Sequence, residues 1–141
     1  MAETSTPQIV MVVDDSQTVR NLMALILHRL GYDSVRVRSA LEALHVLREF
    51  VPALIFLDIT LPGMDGLDVC KIIKEHRYLR RVPVAMLSGS HHVFDRVMGR
   101  LAGAEEYITK PFEPETIRQC VAKYCGSGLY VREGLWQKHR R

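Results

Sequence analysis

Five polar residues of this sequence stand at or within two residues of the ends of apolar stretches, where their side chains could do chemistry. Asp14 and Asp15 follow one such stretch, Asp58 follows a second, and Ser88 and Lys110 follow two more. Three carboxylates and a hydroxyl form a hard, all-oxygen donor set. Such a set suits Mg²⁺, which is held by few protein ligands and often binds beside phosphate. The residue types therefore favour a magnesium site with room for a phosphate-like group.

The stretch before Asp58 indicates how that acid is positioned. Residues 54–57 are all apolar, so a strand here has no polar face and must be buried on both sides, as in a parallel sheet. Asp58 then stands at the carboxyl end of the strand, which is the edge where open α/β sheets bind ligands. The turn at Pro62-Gly63 follows at once, and Asp65 is predicted to cap the next helix.

Strands and helices alternate five times along the chain, which predicts an α/β fold with a doubly wound parallel sheet and helices on both faces. The second strand is placed near a sheet edge, because apolar and charged residues alternate in it. We predict Ser16 as a helix cap, Gly31 and Gly103 as helix ends, and Ile72 as an inward-facing residue. Pro114 is placed in the first turn of the last helix. The five predicted strands are residues 9–13, 33–38, 54–58, 82–87 and 107–108.

Parallel strands place all their carboxyl ends at one edge, so the three acids should meet there. Each like-charge pair costs about 4 kcal/mol at about 4 Å with an effective dielectric constant near 20. Lys110 supplies one positive charge against three negative charges. We therefore expect either raised pKa values or a bound cation, and Mg²⁺ is the cofactor that fits.

Composition limits the class of protein. The 141 residues are 48% hydrophobic and 25% charged, which is typical of one globular domain. No apolar run approaches the roughly 20 residues of a membrane span, and residues 1–7 lack the apolar core of a signal peptide. We therefore expect a disordered N-terminus, a cytoplasmic protein and no membrane insertion.

Charge and cysteine content narrow the class further. The whole formal net charge of +3 lies in residues 126–141, a short basic tail, so the domain itself has no basic surface for nucleic acid. Cys70, Cys120 and Cys125 form no CxxC pair and are odd in number. They are expected to be core-facing thiols rather than disulfides or zinc ligands.

Four motifs in this order resemble the receiver domain of two-component response regulators, in the chemotaxis-type single-domain form. They are residues 12–16, 57–66, 86–88 and 107–112, and the resemblance extends from about residue 8 to 125. It implies a flavodoxin-like strand order of 2-1-3-4-5. The stretch 98–112, with Phe94-Asp95 before it, is similar to PilG-like regulators of type IV pilus twitching motility.

The resemblance implies that Asp58 accepts a phosphoryl group from the phosphohistidine of a histidine kinase, or from a small phosphodonor. Asp15 and Asp58 would bind Mg²⁺ through their side chains, and Thr60 through its backbone carbonyl. Asp14 would act largely through a metal-bound water. Lys110 would pair with phosphoryl oxygens.

The resemblance also implies a conformational switch. Ser88 would hydrogen-bond the phosphoryl group, and Tyr107 would turn inward as Ser88 moves. The Lys110-Pro111 peptide bond is expected to be cis.

The expected output is binding of a protein target on the face formed by the fourth helix, fifth strand and fifth helix. Beyond self-catalysed phosphotransfer and autodephosphorylation we expect no enzymatic activity. The protein should be a monomer or a weak dimer that depends on phosphorylation. The candidate contact residues are His91, Phe94, Arg100, Tyr107 and Thr109.

Two alternatives come from other functional classes. An aspartyl-phosphate phosphohydrolase also uses an aspartate nucleophile, Mg²⁺ and a lysine, but it normally has a second acid two residues after the nucleophile, where this chain has Thr60. A DNA-binding transcription factor would need an effector domain after residue 125, and the 16 residues that follow are too few for one. The possibility that this chain is the receiver part of a longer fusion protein stays open.

Overall fold

A computed structural model describes residues 8–90 and 92–126 of the chain. Within them, five parallel strands pair in the order β2-β1-β3-β4-β5, which confirms the predicted fold class and strand order. The elements in chain order are β1 (Ile9–Val13), α1 (Gln17–Arg29), β2 (Asp33–Val37), α2 (Ala40–Val46), β3 (Leu54–Asp58), α3 (Gly66–Glu75), β4 (Val84–Ser88), α4 (Val93–Leu101), β5 (Glu106–Thr109) and α5 (Pro114–Cys125).

The central strands are buried on both faces, as their unbroken apolar sequences predict. Along β3, Ile55 and Leu57 pack in the core beneath α2 and α3, while Leu54 and Phe56 pack in the core beneath α1 and α5. This alternation is the two-residue period of a strand. Each such side chain contributes about 1.5–3 kcal/mol through burial, so the strand that ends in Asp58 is a rigid support.

The helix boundaries follow from local chemistry. Ser16 Oγ accepts a hydrogen bond from Val19 N at 3.2 Å at the start of α1, and Asp65 Oδ1 accepts one from Asp68 N at 3.0 Å at the start of α3. Pro114 stands in the first turn of α5, as predicted.

Several details of the sequence prediction differ from the structure. Strand β2 ends at Val37 rather than at residue 38, and β5 spans Glu106–Thr109 rather than residues 107–108. Strand β4 begins at Val84 rather than at residue 82, because Pro83 has no N–H to donate and the Val82 carbonyl accepts a hydrogen bond from Lys74 Nζ at 2.8 Å. Ile72 does not face inward: it is 39% exposed on α3, while its neighbour Ile73 is fully buried. The apolar stripe of α3 is therefore wider than the area that the sheet covers.

Helix α4 contributes little to the core. Only Gly99 of this helix is buried. Four large apolar side chains instead face solvent: Val93 is 73% exposed, Phe94 70%, Val97 47% and Leu101 74%. An apolar face of this size is consistent with a surface that binds another molecule.

The thiols are where the sequence placed them. Cys70 and Cys120 are buried and Cys125 is partly buried, and all three are free. Among the described residues, no helix is both long enough and apolar enough to cross a bilayer. The predicted disordered segment 1–7, the candidate contact residue His91 and the tail after Gly126 lie outside the described residues.

Candidate functional site

The three acids meet at the carboxyl edge of neighbouring strands. Val13 of β1 pairs with Leu57 of β3, so Asp14 and Asp58 come at adjacent positions. Asp14 is completely buried and Asp58 nearly so, whereas Asp15 is exposed. One carboxylate oxygen from each acid lies within 4.8 Å of the other two. The structure therefore brings together the three carboxylates that the sequence analysis singled out.

Lys110 enters this cluster from β5, two strands away from Asp58. Its Nζ lies 2.7 Å from Asp14 Oδ2 and 3.6 Å from Asp58 Oδ2. The lysine is fixed through its backbone, because Lys110 N donates to the Ser88 carbonyl at 2.6 Å. The Lys110-Pro111 bond is cis, as expected.

The acids are held in place by donors in the segments that directly follow them. Ser16 N donates to Asp14 Oδ1 at 2.9 Å, and the Arg20 guanidinium donates to the Asp14 carbonyl at 2.8 Å. Thr60 N donates to Asp58 Oδ1 at 3.0 Å. Arg20 was not a predicted site residue, because its contact depends on the turn between β1 and α1.

Gly66 is a second residue that sequence reasoning missed. A Cβ built on Gly66 would lie 2.2 Å from the Asp58 carbonyl oxygen, so no side chain fits there. The close approach is fixed by a hydrogen bond from Gly66 N to the Ile59 carbonyl at 2.9 Å. In the sequence, Asp65-Gly66 indicated only the start of a helix. In the structure, Gly66 allows α3 to begin directly against the backbone of Asp58, the candidate phosphoacceptor.

The electrostatics of Asp58 reflect its surroundings. Burial raises its pKa from 3.8 to about 6; the Thr60 amide opposes this rise, the Asp14 charge adds to it, and Lys110 opposes it. At pH above 7 the carboxylate is therefore mostly ionised but held at a cost in free energy. Separately, the site holds three carboxylates against one lysine, so it is short of positive charge.

A divalent cation fits this deficit. The side-chain donors are all carboxylate oxygens, which are the ligands that Mg²⁺ prefers. Asp14, Asp15 and Asp58 could hold the ion, with the exposed Thr60 supplying its backbone carbonyl. The observation that supports this fit is the approach of three carboxylate oxygens to within 4.8 Å of one another, with one lysine beside them.

Ser88 lies at the end of β4 and is nearly fully buried. Its Oγ accepts a hydrogen bond from Ser90 N at 3.0 Å, which folds the loop after β4. Tyr107 contacts this loop rather than Ser88 itself, since its hydroxyl donates to the Ser90 carbonyl at 3.2 Å. The two predicted switch residues are thus joined through Ser90.

Two residues of α4 contact the Tyr107 ring and were not predicted. The Arg96 guanidinium lies over the ring, 5.0 Å from its centroid. A Cβ on Gly99 would come within 3.3 Å of Tyr107 Cδ2, so glycine makes room for the ring. The ring position is therefore coupled to α4.

The remaining predicted contact residues lie on α4 and β5. Phe94 is on the exposed apolar face of α4. Arg100 and Tyr107 both line a small cavity of about 40 Å³ between α4 and β5. Thr109, at the end of β5, is half-buried and pairs in register with Ser88.

Comparison with known proteins agrees with this geometry. Residues 10–122 match the family described as the response regulator receiver domain. A solved structure of a response regulator from Chloroflexus aurantiacus has a TM-score of 0.81 and 33% identity, covering 84% of this chain and 98% of that one. The chain therefore belongs to the response regulator receiver family.

Two further similar proteins have more specific descriptions. Protein PilG of Pseudomonas aeruginosa is 37% identical over 108 residues, which are 77% of this chain and 80% of PilG. The receiver domain of the sensor histidine kinase PA1611, solved with a magnesium ion in its active site cleft, has a TM-score of 0.79 and 25% identity, covering 86% of this chain and all of that one. The chain spans about half the length of the DNA-binding response regulators it also matches.

Proposed function

We propose that this protein is a phosphorylation-controlled signalling switch that accepts a phosphoryl group on Asp58 from the phosphohistidine of a histidine kinase. The proposal rests on one observation: a nearly buried carboxylate lies at the carboxyl edge of the sheet with two more acids and one lysine around it. Membership of the receiver family supports it.

In the proposed transfer, an oxygen of Asp58 attacks phosphorus, the bond from phosphorus to the histidine nitrogen breaks, and an aspartyl phosphate forms. Catalysis of this kind is mainly positioning and charge neutralisation. Lys110 is close enough to pair with a phosphoryl oxygen, since its Nζ already lies 3.6 Å from Asp58 Oδ2. Bound Mg²⁺, held by Asp14, Asp15, Asp58 and the Thr60 carbonyl, would supply the remaining positive charge.

The signal would leave the site through Ser88. A phosphoryl group on Asp58 offers new acceptor oxygens, and the Ser88 hydroxyl can donate to one of them. Movement of Ser88 would shift Ser90, whose carbonyl now holds the Tyr107 hydroxyl. A shift of Ser90 would break or re-form that hydrogen bond and so change how the Tyr107 ring packs against Arg96 and Gly99 of α4. This is a local charge event that biases a two-state element.

The proposed readout is a change in the face formed by α4, β5 and α5, where Phe94, Arg100, Tyr107 and Thr109 would contact a protein target. The exposed apolar side chains of α4 support this choice. Similarity to PilG supports a role in type IV pilus and twitching motility. We propose that the protein acts in the cytoplasm, as a monomer or a weak phosphorylation-dependent dimer, with no activity on other substrates.

The test uses acetyl phosphate and Mg²⁺, with phosphorylation measured by intact mass. Wild type should gain one phosphoryl group, and Asp58→Asn should gain none. Asp33→Asn, which removes an exposed acid on β2 far from the cluster, is the matched control and should behave as wild type. An unchanged level in Asp58→Asn would refute the assignment of Asp58, and turnover of small phosphoesters would favour a phosphohydrolase instead.

A further inference from the structure

A groove of about 600 Å³ lies between the ends of α2 and α3, away from the acidic cluster. Its lining is mainly apolar, and several of these side chains are exposed to solvent. The apolar lining residues are Leu44, Leu47, Phe50, Val51, Ile72, Tyr78 and Leu79. We call this feature the α2–α3 groove.

The groove is on the opposite edge of the sheet from Asp58. Asp58 ends strand β3 at the carboxyl edge, whereas residues 47–53 and 76–83 return the chain to the amino ends of β3 and β4. A molecule in the groove would therefore leave the phosphoacceptor site and the α4 face open. The groove is a surface that the proposed phosphotransfer does not use.

The segment that forms one wall of the groove is anchored by a partly exposed polar network. Lys74 Nζ donates to the Val82 carbonyl and to Glu105 Oε2, both at 2.8 Å. Glu105 Oε1 in turn accepts from Val84 N at 2.8 Å. The segment between α3 and β4 is thus tied to the start of both β4 and β5. The groove is preformed, so a ligand would not have to order this wall on binding.

Exposed arginines outnumber acidic residues in the segments that form and adjoin the groove. Among the lining residues, Arg48 is positively charged and Glu49 is negatively charged. Three more exposed arginines lie in the adjoining segment 77–81, and the exposed Glu75 precedes it. Within the part of the chain that the structure describes, none of these arginines forms an ion pair with a carboxylate. Their charge is therefore available to a ligand. The arginines are Arg48, Arg77, Arg80 and Arg81.

We propose that the α2–α3 groove docks an acidic amphipathic helix of a protein partner. An apolar groove takes the apolar face of such a helix, and these arginines complement acidic residues on its other face. The basic tail of this chain is a poor occupant, because residues 126–141 carry the whole net charge of +3. A second copy is also a poor match, since the other residues are balanced in charge. A membrane surface could not fill a concave groove.

Because the groove and Asp58 lie at opposite edges, we expect docking to be independent of phosphorylation. The partner would hold the protein in place while the α4 face remains free to signal. Docking in the groove and switching at Asp58 can therefore be measured separately.

The experiment uses two synthetic helical peptides with the same apolar positions, one with glutamates and one with lysines at the remaining positions. Binding is measured by fluorescence anisotropy, and the contact surface is mapped by methyl NMR on Leu, Val and Ile. The acidic peptide should shift the methyl signals of Leu44, Leu47, Val51 and Ile72 and bind at least tenfold more tightly than the basic one. Addition of beryllofluoride and Mg²⁺ should change its affinity by less than twofold.

Variants make the test specific. Ile72→Glu and Arg48→Glu should each weaken the acidic peptide at least fivefold, while Arg29→Glu, an equal charge reversal on the exposed face of α1, should change it by less than twofold. Circular dichroism checks that each variant is folded, and a thermal midpoint near that of wild type is required.

Several results would overturn the proposal. They are equal binding of the two peptides, methyl shifts on α4 instead of in the groove, and full affinity in the folded Ile72→Glu variant. Binding to phosphatidylglycerol vesicles that depends on Ile72 without binding of the acidic peptide would assign the surface to a membrane, and concentration-dependent dimerisation through the groove would assign it to a second copy. If beryllofluoride still shifts Ser88 and Tyr107 signals in any of these cases, the proposed phosphoswitch stands independently.

Discussion

The Asp58→Asn variant tests the electrostatics of the site, because asparagine keeps the shape of the side chain and cannot ionise. The Thr60 amide can still donate to the oxygen at this position, as it does to Asp58 Oδ1 at 3.0 Å. Asp14, Asp15 and Lys110 remain in place. The only large change is the loss of a carboxyl group whose pKa burial raises from 3.8 to about 6.

The sign of the effect follows from this rise. A carboxyl group with a raised pKa in the folded state takes up a proton on folding between pH 3.8 and about 6, so its ionised form costs stability above that range. At 1.36 kcal/mol per pKa unit, the difference corresponds to about 3 kcal/mol. Asp58→Asn should therefore be more stable than wild type by up to about 3 kcal/mol at pH 8, and the gain should shrink toward zero near pH 4.

Urea unfolding followed by far-UV circular dichroism at several pH values, without divalent cations, measures this difference. Asp33→Asn is the matched control, since it removes an exposed acid outside the cluster and should show no such pH-dependent gain. Mg²⁺ should stabilise wild type more than Asp58→Asn, by about 2.7 kcal/mol at 100 times its Kd if the variant no longer binds the ion. A variant less stable than wild type at pH 8 would refute the reasoning, because it would mean that the ionised carboxylate stabilises the fold.

Three further predictions concern single side chains. Gly66→Ala should destabilise the protein by about 3 kcal/mol or more in urea unfolding, because its Cβ would overlap the Asp58 carbonyl. The control is Gly89→Ala, which has open space around it and should change the free energy of unfolding by less than about 0.5 kcal/mol. Lys110→Met should cost about 3 kcal/mol in the same assay, because it leaves the buried Asp14 carboxylate without its cationic partner; a neutral result would show that the pair contributes nothing. Phe94→Ala should leave both stability and phosphorylation by acetyl phosphate near wild type, because the ring is exposed; a large loss of stability would show that α4 packs more tightly than the structure indicates.

The sequence was sufficient for the strands and for the acidic cluster because both depend on local order. An unbroken apolar stretch of about five residues is too short for a typical buried helix and therefore indicates a buried strand. The polar residue that follows it then lies at the carboxyl end of that strand. Asp14, Asp58 and Lys110 could therefore be placed at one edge without any knowledge of packing.

Other features depend on packing between residues far apart in the chain. The apolar residues of α4 have the same spacing as those of a core helix, and sequence alone does not reveal that Phe94 and Leu101 are mostly exposed. The error at Ile72 has the same origin, since the width of a buried stripe depends on the neighbouring helix. To predict that Arg96 lies over Tyr107, one must know the distance between α4 and β5, and no local sequence pattern gives that distance.

Because α4 packs sparsely against the core, little free energy is needed to displace it. Because Gly99 is the one buried residue of this helix, its displacement exposes little new apolar surface and leaves the rest of the core intact. Local opening of such an element needs far less free energy than global unfolding. The amide protons of α4 should therefore exchange with deuterium faster than those of α5, and a single new hydrogen bond at Ser88 is large enough on this scale to shift the population of the helix.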